Sequence, residues 1–258
     1  MGDLAVYFYV DGVWVLLAYS LAMALPKGIA SAWNHHHQHV PTFRRVWLNR
    51  LLELAYGLQT GMPTNLWRLH HVLGHHVNYL DQRKDESRWQ RSDGTQMGEL
   101  EYTVHTALSA YPRALSLGRR YPQVLRPFLI FGILTWGVAI ALTVARPLPG
   151  LLVFLLPMVT CPIFTAWVTY DHHAGLPTSS HFEGSYNIMN PWFNRLTGNL
   201  GYHTAHHYRQ GAHWSQLPEL HALIAPRIPA HCYTRSFFDA LLPTAQPVPA
   251  PEEPSTPG

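Results

Sequence analysis

The chain has 258 residues, of which 47% are hydrophobic, 12% aromatic and only 13% charged. A soluble domain usually carries about 25% charged residues, and the hydrophobic content excludes an intrinsically disordered chain. The formal net charge of +3 is too small to indicate a nucleic-acid partner. Cys161 and Cys232 are the two cysteines, too few for a disulfide framework or a thiolate metal site. Histidine is abundant instead and occurs 18 times, as often as lysine and arginine together.

Three apolar runs are long enough to cross a bilayer, which takes about 20 largely apolar residues. They lie near residues 4–25, 127–145 and 147–170. Arg146 and Pro147 separate the last two runs, so we expect these runs to form a helical hairpin with a tight turn. No basic residue precedes the first run, which disfavours a cleaved signal peptide there.

The chain between and beyond these runs is more polar. Residues 46–66 are apolar but contain Arg50 and Glu53, a composition that predicts an amphipathic helix at the membrane interface. Residues 246–258 are rich in proline and polar side chains and are predicted to be a disordered tail. We therefore expect one membrane domain over residues 1–245.

Basic residues orient the chain in the membrane. None of the 18 lysines and arginines precedes Pro26, and only Arg146 falls in the hairpin turn. All the others lie in residues 27–126 and 171–258. Because positive residues mark the cytoplasmic side, we expect an all-α integral membrane protein in which these two segments form a cytoplasmic helical cap.

Most histidines fall into four clusters within the two polar segments. The clusters occupy positions 35–39, 70–76, 172–173 and 203–207. Residues three or four positions apart share one face of a helix, and a spacing of five is only slightly wider. By that spacing the converging residues are His35 with His39, His71 with His75 and His76, and His203 with His206 and His207.

The histidine clusters indicate a metal centre, because imidazole suits zinc, copper, iron and nickel. With one histidine from the cluster at 172–173 there are nine nitrogens, which are too many for one ion and suit two ions, with positions left for oxygen or a bridging water. A single histidine pair near a membrane is usually an ordinary interfacial feature, but four clusters on one predicted side are not. Adjacent histidines can exchange roles, so His36, His37, His70 and His172 are alternatives to their neighbours.

The pattern of clusters resembles the integral-membrane fatty acid desaturase and alkane hydroxylase superfamily. The signature of that superfamily is three histidine boxes, with an extra histidine ahead of the third. The boxes of this chain are His35-x3-His39, His71-x3-His75-His76 and His203-x2-His206-His207. Two membrane runs between the second and third boxes also fit, and the resemblance extends from Trp33 to Leu220.

Two local segments add to the resemblance. Residues 199–221 are similar to the segment around the last box of fatty acid desaturases, including an aromatic residue followed by Leu-Pro. Residues 169–176 resemble the alkane hydroxylase branch, and by that match the extra ligand is His173. The chain departs from the family at Thr169, where relatives often carry asparagine, and in having one membrane run before the first box.

The resemblance implies a di-iron centre that uses dioxygen and two external electrons to break an unactivated C–H bond in a lipid. The implied metal ligands are His35, His39, His71, His75, His76, His173, His203, His206 and His207. Loss of a second hydrogen gives an alkene, and this fatty acyl desaturation is the outcome we favour. Return of a hydroxyl group gives an alcohol, so a hydroxylase of alkane, fatty acid or terpenoid lipids is the alternative.

The electrons are expected from a separate ferredoxin or cytochrome. The chain has neither the cysteines of an iron–sulfur cluster nor a glycine-rich dinucleotide fingerprint. A basic group is a candidate dock for an acidic donor, although anchoring near lipid headgroups is the favoured interpretation. It consists of Arg113, Arg119, Arg120 and Arg126.

The alternative outside the enzymes is a histidine-rich metal transporter. Transporters need ionisable ligands near the membrane midplane, whereas the four clusters flank the apolar runs. The sequence therefore favours a catalyst over a transporter.

Other residue groups carry weaker signals. Tryptophans can line an apolar tunnel, although near membranes they more often form interfacial belts or core; the candidates are Trp33, Trp67, Trp167 and Trp192. Carboxylates after the second box can orient imidazoles, although their mixed-charge run favours a solvated face; they are Asp81, Asp85 and Glu86. The remaining histidines are expected at the surface or in supporting roles, namely His105, His181, His213, His221 and His231.

Overall fold

The computed structural model describes residues 2–235 and residue 239, which form helices almost throughout. The α-helices are α1 (Gly2–Tyr9), α2 (Val13–His39), α3 (Val46–Thr60), α4 (Glu99–Gly118), α5 (Pro122–Ala145), α6 (Pro147–Gly150), α7 (Leu156–His173), α8 (Pro191–Thr197), α9 (His203–Tyr208) and α10 (Leu217–Ile224). The predicted domain boundary at residue 245 and the predicted tail lie outside the described residues.

Shorter elements complete the fold. Two helical segments have π geometry, Arg68–His76 and Leu151–Leu155. Single 3₁₀ turns occur at Trp214–Gln216, Ala225–Arg227 and Ala230–Cys232. One small parallel sheet pairs β1 (Asn187–Ile188) with β2 (Tyr233–Thr234), in the register Asn187 to Tyr233 and Ile188 to Thr234.

Three helices among the described residues are long and apolar enough to cross a membrane. They are α2, α5 and the continuous segment Pro147–His173, in which α6, a π-helical stretch and α7 follow one another. The predicted all-α membrane architecture is confirmed, and the hairpin lies where the sequence indicates it. Helix α5 ends at Ala145 and α6 begins at Pro147, because Arg146 takes an extended conformation between them.

The first spanning helix lies further along the chain than the apolar run near residues 4–25. A break before Val13 separates α1 from α2, and α2 then continues through Pro26 to His39. Asp11 lies in that break, where its carboxylate pairs with the Arg146 guanidinium at the hairpin turn. The proline does not end the helix, as is common where neighbouring helices pack around it. Consequently the first histidine cluster occupies the last turns of a spanning helix.

Lys27 also lies inside this spanning helix and not in a polar segment as the charge pattern suggested. Its ammonium is 3.1 Å from an Asp3 carboxylate oxygen and donates a hydrogen bond to the Val153 carbonyl at 2.7 Å. Tyr19 and Gln59 donate to the same carboxylate. Buried charges need such partners, so this network ties α1, α2 and α3 to the π-helical stretch after α6.

Helix α3 is shorter than the run predicted over residues 46–66. It ends at Thr60 and is followed by Gly61, which has φ +65° and lies so close to the Met158 carbonyl that a side chain there would overlap it. The inward face of α3 is polar, with Asn49 and Glu53 buried. Its interfacial position remains a prediction.

Helix α4 packs along α7 although the sequence placed it in the cap. The ring centroids of Tyr102 and Tyr170 are 5.2 Å apart across this contact. The opposite face of α4 is apolar and exposed at Leu100, Val104 and Leu108. α4 therefore covers one side of α7, whose last turn carries His172 and His173.

Candidate metal centre

Four helical segments bring the predicted ligands to one place. The last turns of α2 carry the first pair, the π-helical segment carries three, the end of α7 carries one and α9 carries three. A π-helix closes its hydrogen bonds over five residues instead of four, a geometry often found at functional sites. This wider turn brings His71 and the His75–His76 pair to one side.

The nine histidines form two adjoining groups. In the first, one ring nitrogen from each of five residues lies within 4.8 Å of all the others; the residues are His35, His39, His71, His76 and His206. The second contains His75, His173 and His207 under the same criterion. His203 joins this second group, because its Nε2 is 3.1 Å from that of His173 and 3.2 Å from that of His207.

The distances between nitrogens fit metal ligation better than hydrogen bonding. His71 Nε2 lies 2.8 Å from His35 Nε2 and 2.9 Å from His76 Nε2, which is itself 2.9 Å from His206 Nε2. A ring nitrogen carries at most one proton, so it cannot donate to two neighbours. Two imidazoles bound at about 2.1 Å to one ion at a right angle place their nitrogens about 3 Å apart. The residues present therefore fit a metal.

The electrostatic environment keeps these imidazoles neutral. Burial is the first cause that lowers the pKa of His71, His76, His203, His206 and His207 well below the ordinary value, and neighbouring imidazoles lower it further. A neutral ring keeps one nitrogen lone pair free for a metal. The centre is thus a set of uncharged donors shielded from water.

Several of the predicted ligands have a hydrogen-bond acceptor at the ring nitrogen that faces away from the centre. His75 Nδ1 is 2.8 Å from Asp85 Oδ1, and His173 Nδ1 is 2.8 Å from the Gly184 carbonyl. His39 Nδ1 is 3.1 Å from a further carbonyl, while its buried Nε2 has no hydrogen-bond partner among the described residues. A proton held on Nδ1 leaves the Nε2 lone pair directed at the centre.

The carboxylates after the second box behave differently from one another. Asp85 is 1% exposed and supports His75, so the expectation of a solvated face is wrong for this residue. Glu86 approaches the buried Arg113, with 3.7 Å between Oε2 and Nε. Asp81 alone matches the expectation, because it pairs with the exposed Lys84. The reason is local: turns over residues 77–87 direct Asp85 inward, although Lys84 beside it is exposed.

Two of the alternative histidines have partners elsewhere. His36 Nε2 lies 2.9 Å from the Thr197 carbonyl, and His37 contacts Thr42 and Glu53. These contacts direct both rings away from the two groups and favour His35 and His39 as the ligands of the first box.

The other two alternatives line cavities beside the centre. His70 and His172 are buried, and the Nε2 of each has no hydrogen-bond partner among the described residues. The His172 ring packs on that of His203, with 4.3 Å between the centroids. Both residues are thus close to the ligands but outside the two groups.

The remaining histidines divide between surface and interior. His213 and His231 are exposed, whereas His221 is buried beside the Tyr233 hydroxyl at 3.3 Å. His181 contacts the Tyr79 hydroxyl at 2.7 Å. His105 lies beside the Arg113 guanidinium.

Arg113 is itself buried, so it cannot belong to a docking surface, whereas Arg119, Arg120 and Arg126 are exposed.

Two cavities adjoin the histidines. The larger, which we call the metal cavity, encloses about 720 Å³ including its mouth and has His35, His71 and His203 in its wall. A second one of about 520 Å³, the side cavity, lies between α4 and α7 and also touches His71. Most of the remaining wall of both is apolar, so both spaces favour a lipid chain over water.

Two residues that the sequence analysis named lie in the walls of both cavities. Trp67 lines both cavities, and Thr169 lines both while its hydroxyl donates to the Thr165 carbonyl at 2.8 Å. Trp33 instead packs on Trp214 and lies outside both walls. Trp192 is exposed and stacks on an arginine. The tunnel expectation therefore fits Trp67 and not these last two tryptophans.

The residues that sequence reasoning did not identify are mostly backbone carbonyls and wall residues. The Gly184 and Gln210 carbonyls bear no sequence signal, because any residue supplies a carbonyl. Phe164 of the cavity wall lies in a uniformly apolar run, and Gly28 follows Lys27 just beyond the first apolar run, so neither position has a sequence signal of its own.

Comparison with protein families gives a match for most of the chain. A family model described as fatty acid desaturase matches residues 12–238, which include all four histidine clusters. A search among curated proteins finds no match.

Proposed function

This chain belongs to the fatty acid desaturase family, and we propose that it is a di-iron enzyme that desaturates a fatty acyl chain. The observation that carries the proposal is the convergence of the predicted ligands, with Nε2 atoms of neighbouring rings 2.8–3.2 Å apart. At the level of the family, the chain is an oxidoreductase associated with lipid and membrane.

We assign the nine predicted histidines to two iron ions. The first group would supply five nitrogens and the second four, counting His203. When bound, the irons would activate dioxygen and supply the oxidising power that removes hydrogen from an unactivated C–H bond. Neutral nitrogen donors suit iron, and an all-imidazole shell leaves the ions strongly cationic.

In this proposal the protein itself orients the imidazole rings and shields the site from water. Asp85 and the Gly184 carbonyl fix the tautomers of His75 and His173, so their rings stay oriented without rearrangement. The apolar wall of the metal cavity holds the chain against the histidines and excludes water. Water exclusion prevents the oxidant from being spent on side reactions.

Desaturation and hydroxylation differ after the first hydrogen is removed. A second hydrogen lost from the adjacent carbon gives the alkene, and a hydroxyl group returned to the first carbon gives the alcohol. Hydroxylation is the second candidate, because the segment before and after His173 resembles the alkane hydroxylase branch. In both reactions one dioxygen accepts two electrons from the substrate and two from an external donor.

We propose a ferredoxin or cytochrome as that donor and the cytoplasm as its compartment. The histidine-bearing ends of α2 and α7 meet on one side, while the turn at Arg146 lies at the opposite end of the hairpin. Basic residues concentrate in the segments on the histidine side, which supports a cytoplasmic location for the centre.

Lipid mass spectrometry tests the proposal. Cells with and without the protein are grown under oxygen, and their lipids are compared with those of cells that carry a His206→Ala variant. Loss of two hydrogens from an acyl chain, absent in the variant, is the expected result. Gain of one oxygen would establish hydroxylation instead. No oxidised lipid, together with labile metal uptake and no oxygen consumption, would favour a transporter and overturn the proposal.

A further inference from the structure

A third cavity opens between two of the spanning helices. We call it the outer groove; it runs between α2 and α7 and measures about 1370 Å³ including its open side. Its wall is largely apolar and includes Leu17, Leu21, Leu156 and Trp167. Both helices belong to membrane-spanning segments, so the groove faces the hydrocarbon layer of a bilayer.

The outer groove adjoins the metal cavity. Leu25 of α2 and Phe164 of α7 line both spaces. Past them, the wall of the metal cavity reaches His35 and His71. The two spaces are therefore separated only by Leu25 and Phe164, and together they lead from the flank of the spanning helices toward the candidate metal ligands.

Gly28 and Phe164 narrow this route at its centre. A Cβ atom placed on Gly28 would lie 2.8 Å from Phe164 Cε1 and 3.0 Å from Phe164 Cδ1. Any larger residue at position 28 would therefore push against the ring. Phe164 is only half-buried, and an aromatic ring can swing about its side-chain bonds. The ring already packs on position 28, so the opening between the two spaces depends on the position of this ring and on the absence of a side chain at Gly28.

The charge of the route excludes one kind of substrate. Among the described residues that line the outer groove, the metal cavity and the side cavity, Lys27 is the single lysine, and arginine, aspartate and glutamate are absent. The Lys27 ammonium is engaged by Asp3 and the Val153 carbonyl. A soluble carrier with several phosphates needs free arginine or lysine side chains where it docks, and the outer groove offers none among the described residues.

We propose that the substrate is a lipid dissolved in the bilayer, and that it enters sideways between α2 and α7 past Gly28 and Phe164. The inference rests on the proposed function for what happens at the metals, but the route itself depends only on the shape and polarity of the wall. An acyl thioester of a soluble carrier is the substrate class that this groove does not suit, because its wall offers no free basic side chain.

Photolabelling tests the route without requiring turnover. The full-length protein is placed in phosphatidylcholine nanodiscs that contain a phosphatidylcholine with a diazirine on one acyl chain. After illumination, the labelled residues are mapped by peptide mass spectrometry. We expect label in the outer groove, at Leu21 or Trp167, and in the metal cavity, at Val168 or Leu200.

Variants locate the constriction. Gly28→Leu should keep the groove label and lose the cavity label, whereas Phe164→Ala should increase the cavity label. Gly137→Leu is the matched control: it lies on α5, its Cβ would have no atom within 4 Å, and both labels should stay at the wild-type level. If Gly28→Leu fails to fold, Phe164→Trp replaces it with the same expectation.

The outcomes separate this proposal from the proposed function. Wild-type cavity label in both Gly28→Leu and Phe164→Ala would overturn the sideways route. A diazirine-bearing acyl-coenzyme A that labels the cavity from the aqueous side, equally in wild type and Gly28→Leu, would also overturn it. Correct labelling in a protein that oxidises no lipid would leave the route intact and contradict only the proposed function.

Discussion

His75 and Asp85 form a buried pair behind the candidate metal centre, with 2.8 Å between Nδ1 and Oδ1. Both side chains are 1% exposed. The carboxylate accepts a hydrogen bond from the Nδ1–H group of His75. The Nε2 atom of His75 therefore faces His173 Nε2, at 3.2 Å. The same carboxylate oxygen accepts the Ser87 backbone N–H at 2.7 Å, which fixes its own position.

Asp85→Asn should weaken metal binding while preserving the size of the side chain. The amide carries less negative charge and can present its NH₂ group to His75, which would favour the wrong tautomer. Loss of such a supporting partner typically costs about 10–100-fold in metal affinity. Iron per purified chain, measured by elemental analysis after dialysis against a weak chelator, reports the effect. Asp81→Asn is the control, and equal iron retention by both variants would contradict the assigned role.

The role of Asp85 could not be predicted from the sequence, because local composition does not show which side chain of a mixed-charge run points inward. Asp81, Asp85 and Glu86 share one mixed-charge run, yet only Asp85 turns toward an imidazole. The histidines were predictable for the opposite reason. Their spacing is set by helical geometry, which places residues about one turn apart on the same side.

The first box allows a direct test of ligand choice between adjacent histidines. His35 belongs to the group of converging nitrogens, whereas His36 Nε2 lies 2.9 Å from the Thr197 carbonyl. His35→Ala should therefore lose iron and product, and His36→Ala should keep its iron while losing some stability. Iron content and thermal unfolding of the two variants, purified side by side, check this. The reverse order would mean that His36 is the ligand.

His206→Ala should abolish the product without preventing membrane insertion. The ring contacts His76 Nε2 at 2.9 Å and belongs to the group of five nitrogens, so its removal opens one metal position. Insertion depends on the apolar helices, which the change leaves intact. The checks are lipid mass spectrometry and the amount of variant in washed membranes. His231→Ala, at an exposed position, is the control; full activity of the His206 variant would show that the ligand assignment is wrong.

The path through the spanning helices was less predictable than the histidines. The apolar run near residues 4–25 has no feature that shows α2 continuing to His39, because the last turns of α2 are polar. Their burial comes from packing against α3, α8 and the π-helical segment. Likewise, Gly28 lies just beyond the first apolar run and Phe164 lies in the last one, and only tertiary contact places them together. Such pairings depend on long-range geometry that local pattern does not contain.

The metal-free protein should lose stability in acid. Burial lowers the pKa of His70 to about 3 and lowers the pKa of His71, His76 and His206 well below the ordinary value. In the unfolded chain a histidine titrates near about 6.5. Below that pH the histidines bind protons in the unfolded chain, whereas the buried histidines of the folded chain stay unprotonated. The contribution of these histidines to the free energy of unfolding is therefore greatest above about pH 6.5 and decreases as the pH falls toward about 3.

Thermal unfolding of the chelator-treated protein in detergent, followed between pH 8 and pH 5, measures this dependence. We expect a constant melting temperature above about pH 7 and a progressive decrease below about pH 6.5. His70→Leu removes one of the contributing groups and should make the decrease shallower. A melting temperature that does not change across this window would show that the histidines are not held neutral by the fold.

Lys27 and Asp3 provide a final prediction, about stability in the membrane segment. Lys27 is 2% exposed and Asp3 9%, with 3.1 Å between the ammonium and a carboxylate oxygen. Lys27→Met would leave the carboxylate buried without its cation, and breaking a buried pair typically costs about 3–5 kcal/mol. The added change Asp3→Asn removes the unpaired charge, so the double variant should be more stable than Lys27→Met alone. Unfolding in mixed detergent micelles measures both free energies, with Lys84→Met, at an exposed ion pair, as the control. If Lys27→Met loses no more stability than that control, the pair does not hold α1 and α2 together.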